Sequence, residues 1–262
     1  MKACFKGKRR AVLGVTALVA VAATAVPGSA AATDGERGSP DHWGVITRNT
    51  IGSPVAALRT GPFGSFGVTG PAARPPYGRG SLGIEVADNS TLLKPPAEAV
   101  HFGNEVDFYG EPVLELREVG FHVFQPGENV GYGGPGNLPN IKFEIDPNLD
   151  RNPTTYSSMV WNPPPLTTNQ LNRWSPYLDA TTTGTWFLTG SAGTTTDCNL
   201  NHPCTFQSLL SALNDGGAEP VIYTAGVSKG RDNMWIGAVD GLRINRTVYD
   251  FEADGVRIRR AP

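Results

Sequence analysis

Glycine and proline occupy 32 and 22 of the 262 positions, and they recur between almost all of the apolar segments. Glycine costs backbone entropy inside a helix, and proline removes a hydrogen-bond donor and clashes with the preceding turn. A chain interrupted this often does not hold many long helices. It must build its core from short segments joined by turns, and the apolar patterning shows which kind.

The dominant period is two. From Ser81, the residues Leu82, Ile84 and Val86 alternate with Gly83, Glu85 and Ala87, as in a half-buried strand. The cleanest case is 140–145, where Ile141, Phe143 and Ile145 share one face and Lys142 and Glu144 the other. Further strands are predicted at 43–47, 55–59, 113–116, 120–124, 157–161, 172–177, 185–188, 221–227, 234–239, 242–244, 248–251 and 256–258. Turn-forming runs separate them, among them Gly131-Tyr-Gly-Gly-Pro-Gly136 and Pro163-Pro-Pro165. One helix is predicted: Thr205 can cap it, Phe206, Leu209, Leu210 and Leu213 fall on one face, and Asn214-Asp215-Gly216-Gly217 ends it. Many short strands with a single short helix predict an all-β fold, a β-sandwich of jelly-roll or concanavalin-like form. No internal repeat is seen.

Residues 1–32 have the three parts of a secretory signal peptide. Lys2, Lys6, Lys8, Arg9 and Arg10 open the chain, an apolar run covers 11–26, and Ala30-Ala31-Ala32 offers small residues for cleavage. The run is shorter than the roughly 20 apolar residues a membrane span requires. Five of the 22 basic residues lie in this segment with no acidic residue, so 17 basic face 24 acidic residues in the rest. That balance argues against nucleic acid or an anionic membrane as the main partner. Residues 33–40 read as a disordered lead, and 41–262 as one sandwich domain. Within it, 61–80 is a Gly/Pro-rich arm, since too few residues precede it to build a separate core. The chain ends Arg257-Ile-Arg-Arg-Ala-Pro262, with no wall-anchoring signal in view. Cys198 and Cys204 are expected to pair in an oxidising compartment. A zinc site using His202 between them is the weaker reading, because three ligands so close in sequence rarely close a tetrahedron.

The order of motifs from residue 61 to 252 carries a resemblance. Phe66-Gly-Val-Thr-Gly-Pro71 and Gly80-Ser-Leu-Gly-Ile84 come first, then Ile141-Lys-Phe-Glu-Ile-Asp146. The Trp174 and Trp186 segments and the Cys198–Cys204 loop follow, and Val239-Asp-Gly-Leu-Arg-Ile244 and Tyr249-Asp-Phe-Glu252 close the pattern. This resembles a group of secreted bacterial proteins whose domain looks like the jelly-roll and concanavalin-like sandwiches of carbohydrate-binding modules. The resemblance implies a fold more than an activity.

Four kinds of chemistry are open to these residues. Trp161, Trp174, Tyr177 and Trp186 cluster in a Thr-, Asn- and Pro-rich stretch, and flat aromatic faces stack on the C–H face of a sugar ring. Trp174, Tyr177 and Trp186 are the expected contacts, against the alternative that such large side chains fill the core. Glu144 and Asp146 share a strand face and match half of a glycanase E-x-D-x-x-E strand, but Leu149 stands where the second carboxylate belongs. Two solvated carboxylates are the expected outcome. Asp146, Asn148 and Asp150 alternate as the ligands of a structural Ca2+ ion would, or they form a turn held by its own side chains; Asp240, Asp250 and Glu252 are a second such group. Apart from that ion no cofactor is expected. His42, His101, His122 and His202 belong to no nucleophile-elbow or zinc signature, and His122, alone in its strand, or Tyr132 is the candidate base for a lyase. No catalytic residue is assigned.

The resulting expectation is a secreted, non-catalytic protein that binds an extracellular polysaccharide or cell-wall glycan. A glycan hydrolase or lyase on the same fold is the alternative. It would require a second carboxylate, or a His–Tyr pair, facing Glu144 across a groove. A structural or adhesive envelope protein, with flat surfaces and no exposed tryptophan, is the third reading.

Overall fold

The computed structural model describes residues 42–64, 67–87 and 98–261. Residues 1–32, which the sequence marks as a signal peptide, the lead expected at 33–40 and part of the Phe66 motif lie outside the described residues. The described residues form an all-β sandwich of two antiparallel sheets with three short α-helices.

The strands are β1 (Trp43–Val45), β2 (Val55–Thr60), β3 (Gly80–Val86), β4 (Val100–Asn104), β5 (Val119–Phe124), β6 (Asn140–Asp146), β7 (Ser157–Asn162), β8 (Leu178–Asp179), β9 (Thr185–Leu188), β10 (Val221–Lys229), β11 (Trp235–Ile244), β12 (Thr247–Glu252) and β13 (Gly255–Arg260). The helices are α1 (Val130–Gly133), α2 (Gly190–Thr196) and α3 (Phe206–Leu213). One sheet runs β1-β4-β10-β6-β7-β9. The other is centred on β11, whose first half pairs with β3 and whose second half pairs with β12, while β5 pairs along it from Ala238 to Ile244. β2 extends β3, β13 extends β12, and β8 extends β5.

Each strand's two-residue period decides which side chains enter the core. From the first sheet come Phe102, Ile141, Phe143, Ile145, Met159, Trp161, Trp186, Leu188, Ala225 and Val227, all buried. Leu82, Ile84, Phe121, Val123, Tyr249 and Phe251 meet them from the second. Aromatic contacts tie the layers: Phe121 lies edge-on to Trp161 at 5.4 Å between ring centres, and Phe102 to Phe251 at 5.9 Å. α3 lays Phe206, Leu209 and Leu213 into the same core. Its start follows the expected cap, with the Thr205 side chain accepting from the Ser208 amide.

Three local expectations are corrected. Residues 113–116 form a 3-10 turn rather than a strand, because Val113 pairs its amide with Pro220 outside any ladder. Residues 172–177 are irregular, and only Leu178–Asp179 pair as a strand. The 3.6-residue apolar period marks one helix where the described residues hold three; α1 and α2 carry too few apolar residues to show it.

The arm at 61–80 packs on the outer face of the second sheet. Gly83 there has no room for a side chain: a Cβ would lie 2.6 Å from Arg59 and 2.9 Å from Phe63 of the arm. At its end, the Tyr77 amide donates to Asp240 and the Arg79 amide to Glu252. Among the described residues the arm gives no such cover to the outer face of the first sheet, and the site lies there.

Candidate functional site

The outer face of the six-stranded sheet is set by the residues that alternate with the core. β4 presents His101, β10 presents Thr224 and Ser228, β6 presents Asn140, Lys142 and Glu144, and β7 presents Ser158, Val160 and Asn162. The register places Glu144 between Thr224 and Ser158, and Lys142 between Gly226 and Val160. Gly103 and Gly226 pair in the middle of this floor. A Cβ on Gly226 would sit 2.2 Å from the Phe102 carbonyl and 2.9 Å from His101 Nε2, so the glycines make the space in which the buried imidazole lies.

Glu144 is wholly buried. Tyr156 donates to its Oε1 at 2.5 Å and Asn49 to the same oxygen at 2.8 Å. Arg48 pairs with its Oε2, with Glu105, and with Thr224 Oγ1 at 3.0 Å. Asn49 and Arg48 reach the floor because the 3-10 turn Thr47–Asn49 follows β1 at the sheet edge, and the Ile46 amide bonds to the His101 carbonyl at 2.8 Å. Asn49 Nδ2 also lies 3.2 Å from His101 Nδ1. Since the amide nitrogen is a donor, Nδ1 accepts and the ring proton sits on Nε2.

Burial works against the Glu144 charge, but hydrogen bonds from Tyr156, Asn49 and Thr224, with the Lys142 charge, hold its pKa down at about 2. Burial, with Lys142 beside it, lowers His101 to about 3. Burial and the Glu144 carboxylate raise Tyr156. At neutral pH the cluster is therefore an ionised carboxylate, a neutral imidazole and a neutral phenol.

Two depressions meet over this cluster. The larger, about 630 Å3, runs over Asn49, His101, Asn140, Lys142, Ser158 and Asn162 to Lys229 and Arg231. The second, about 400 Å3, is lined by Arg48, Glu105, Tyr109, Glu144, Tyr156 and Tyr223. Asn49 joins them, since it lines the first and bonds to Glu144 in the second. Tyr109 is 69% exposed and Tyr156 47%. The Tyr109 ring stacks on Tyr223, 5.7 Å between centres and 22° from parallel. Tyr223 is anchored by donating to Asp146 Oδ2 at 3.0 Å.

The residues expected from the sequence fall elsewhere. Trp186 is completely buried: its ring packs on Phe206, and its Nε1 donates to the Ala180 carbonyl at 2.6 Å. It offers no face to a ligand. Trp174 and Tyr177 lie against the second sheet, away from the groove. Trp174 packs on Phe124 and points Nε1 at Ala73 of the arm, 3.4 Å away. Tyr177 packs on His122, and its hydroxyl is buried. Glu144 is the opposite of the expected solvated carboxylate. Asp146, Asn148 and Asp150 lie in a turn with side-chain hydrogen bonds of its own: Asp146 Oδ1 accepts the Asn148 amide, Asn148 Nδ2 donates to the Glu219 carbonyl, and the Asp150 amide donates to Asp215. Among the described residues no three His, Cys, Asp or Glu side chains are placed to hold a metal ion. Cys198 and Cys204 form a disulfide, with Cα atoms 5.4 Å apart.

The sequence reading missed Arg48, His101, Tyr109, Tyr156 and Tyr223. The usable signal was the polar face of β6, which already set Lys142 and Glu144 opposite a core stripe. Its partners come from segments about 40 to 95 positions away in the chain, or from the strand turn just after it, and no local pattern joins them.

The class of molecule so defined is a two-sheet β-sandwich with an open polar groove across one sheet face. No family model, curated protein or solved structure matches the chain.

Proposed function

We propose that this is a secreted, non-catalytic glycan-binding protein whose ligand lies along the outer face of the six-stranded sheet. The observation that carries the reading is the pairing of exposed tyrosine faces with a row of amide and hydroxyl side chains in one groove. Tyr109, stacked on Tyr223, and Tyr156 supply flat faces for sugar C–H surfaces. Asn49, Asn140, Asn162, Ser158 and Ser228 supply donors and acceptors for hydroxyls. The leader at 1–32 and the disulfide are compatible with an extracellular site of action. No helix among the described residues is long and apolar enough to cross a membrane.

The test is retention of the purified protein on cellulose, chitin, xylan and peptidoglycan. Tyr109→Ala and Tyr156→Ala are expected to lose retention on the bound polymer by roughly tenfold, about 1.4 kcal/mol for one lost stacking contact. Trp174→Ala, on the other sheet, is expected to keep it. Retention on no polymer would move the weight to a structural or adhesive role.

Glycan cleavage is the second reading, favoured by a specific observation: Tyr156 donates to Glu144, Asn49 links Glu144 to His101, and Glu105 reaches it through Arg48. Against it, general acid–base catalysis works best with groups that titrate near the working pH. Glu144 and His101 are pinned near 2 and 3, and Tyr156 is raised. No reducing ends and no unsaturated products are expected from a bound polymer at neutral pH.

A further inference from the structure

The charge in the groove has the opposite sign to that of the chain. Acidic residues outnumber basic ones overall, 24 to 22. Yet the larger depression is lined by three cations, Lys142, Lys229 and Arg231, against one carboxylate, Asp232. These cations are not equivalent. Lys229 is buried and paired with Asp232, and Arg231 is engaged within the protein. Lys142 stands in the centre of the floor, half-buried, with no salt bridge or hydrogen bond to its ammonium group among the described residues. Glu144, two residues on, shares its face, but the oxygens of that carboxylate are taken by Arg48, Asn49 and Tyr156. On one side the register neighbour of Lys142 is Gly226, which has no side chain to cover it.

Partial burial of an ammonium group costs free energy, and here burial depresses the Lys142 pKa, a shift that the neighbouring Glu144 charge offsets only in part. A ligand anion seated over the lysine would offset that cost. Local positive potential in an acidic protein also steers an anion to the groove and repels it elsewhere.

We infer that the groove takes an acidic glycan, with a carboxylate or sulfate of the polymer seated on Lys142 between the side chains of Asn140 and Ser158. This rests on the glycan-binding reading and gives it a substrate class.

The test is affinity electrophoresis of the full-length protein in gels containing polygalacturonate, a sulfated galactan or neutral xylan, each at low and high salt. Retardation by the polygalacturonate or the sulfated galactan and not by xylan is expected, and which of the two acts identifies the anion. High salt should relieve most of the retardation, as for any contact of exposed charges. Lys142→Gln should weaken binding about tenfold and Lys142→Arg should largely preserve it, both checked for folding by thermal melting. The salt response of the wild type tests the inference even if a variant fails to fold. Equal or exclusive retardation by xylan, binding that ignores salt, or a folded Lys142→Gln that binds as the wild type would each overturn the acidic-glycan inference and leave the glycan-binding reading standing. No retardation by any polymer would overturn both.

Discussion

Single residues in this fold are decided by which face of a strand they occupy. Trp186 and Leu188 share the inner face of β9, while Thr185 and Phe187 point outward. Trp186 therefore fills the core and gives its indole N–H to Ala180. Its replacement by alanine leaves a cavity and an unpaired carbonyl, and should cost about 3–5 kcal/mol. Urea unfolding measures this; a loss under 1 kcal/mol would contradict the burial. The tyrosines show the reverse case. Tyr109 and Tyr156 lie outside regular strands, so no alternation marks them, and only the folded sheet brings them to Glu144 and Tyr223. Compositional clustering pointed to the tryptophans because it registers aromatic residues, not the direction in which they face.

At the scale of elements, the strands with a full two-residue period were legible, and α3 was legible through its cap and apolar face. β4 was missed, since Val100-His-Phe-Gly-Asn104 is short and mixes histidine and glycine into an apolar run. α2 was missed because Gly190-Ser-Ala-Gly-Thr-Thr-Thr196 has weak intrinsic helix preference; it is held by Ala192, buried in the core. The disulfide loop was legible from its spacing, but its neighbour was not. Cys204 exchanges both backbone hydrogen bonds with Trp186, each 2.8 Å, so the loop is laced to the edge of β9. Closing so short a loop limits the entropic gain, and the Cys198→Ser/Cys204→Ser double variant should lose about 2 kcal/mol. Hydrogen exchange should quicken first at Trp186 and Cys204. An unchanged melting temperature would show the lacing to be sufficient without the bond.

For the whole molecule, the arm and the second sheet are joined through buried carboxylates. Asp240 accepts the Tyr77 and Phe251 amides, and Glu252 accepts the Arg79 amide. Asp250 lies beside them and pairs with Arg259. Burial, with Asp250 close by, raises Asp240 to about 8, and burial raises Asp250 against the pull of Arg259. A carboxyl whose pKa is higher in the folded state holds a proton that the unfolded chain has released. Its contribution to stability is thus complete below the unfolded value of about 4 and is lost as pH rises through about 8. Melting temperatures measured from pH 5 to pH 9 should fall more steeply for the wild type than for Asp240→Asn. Parallel curves would mean that Asp240 does not carry this dependence.

Taken alone, the amino-acid sequence determined the all-β class, most strand positions, the capped helix and the cysteine pair. Each of these depends on residues within about ten positions of one another, through side-chain alternation, turn chemistry or loop closure. Tertiary structure alone decided which sheet face stays open, which aromatics are buried and which charges keep a partner. Glu144 acquires its role from Arg48, Asn49, Tyr156 and Thr224, drawn from three other segments. Those contacts follow from the order and register of the strands, and the energy that selects this order is burial of the shared core. No local sequence pattern encodes it.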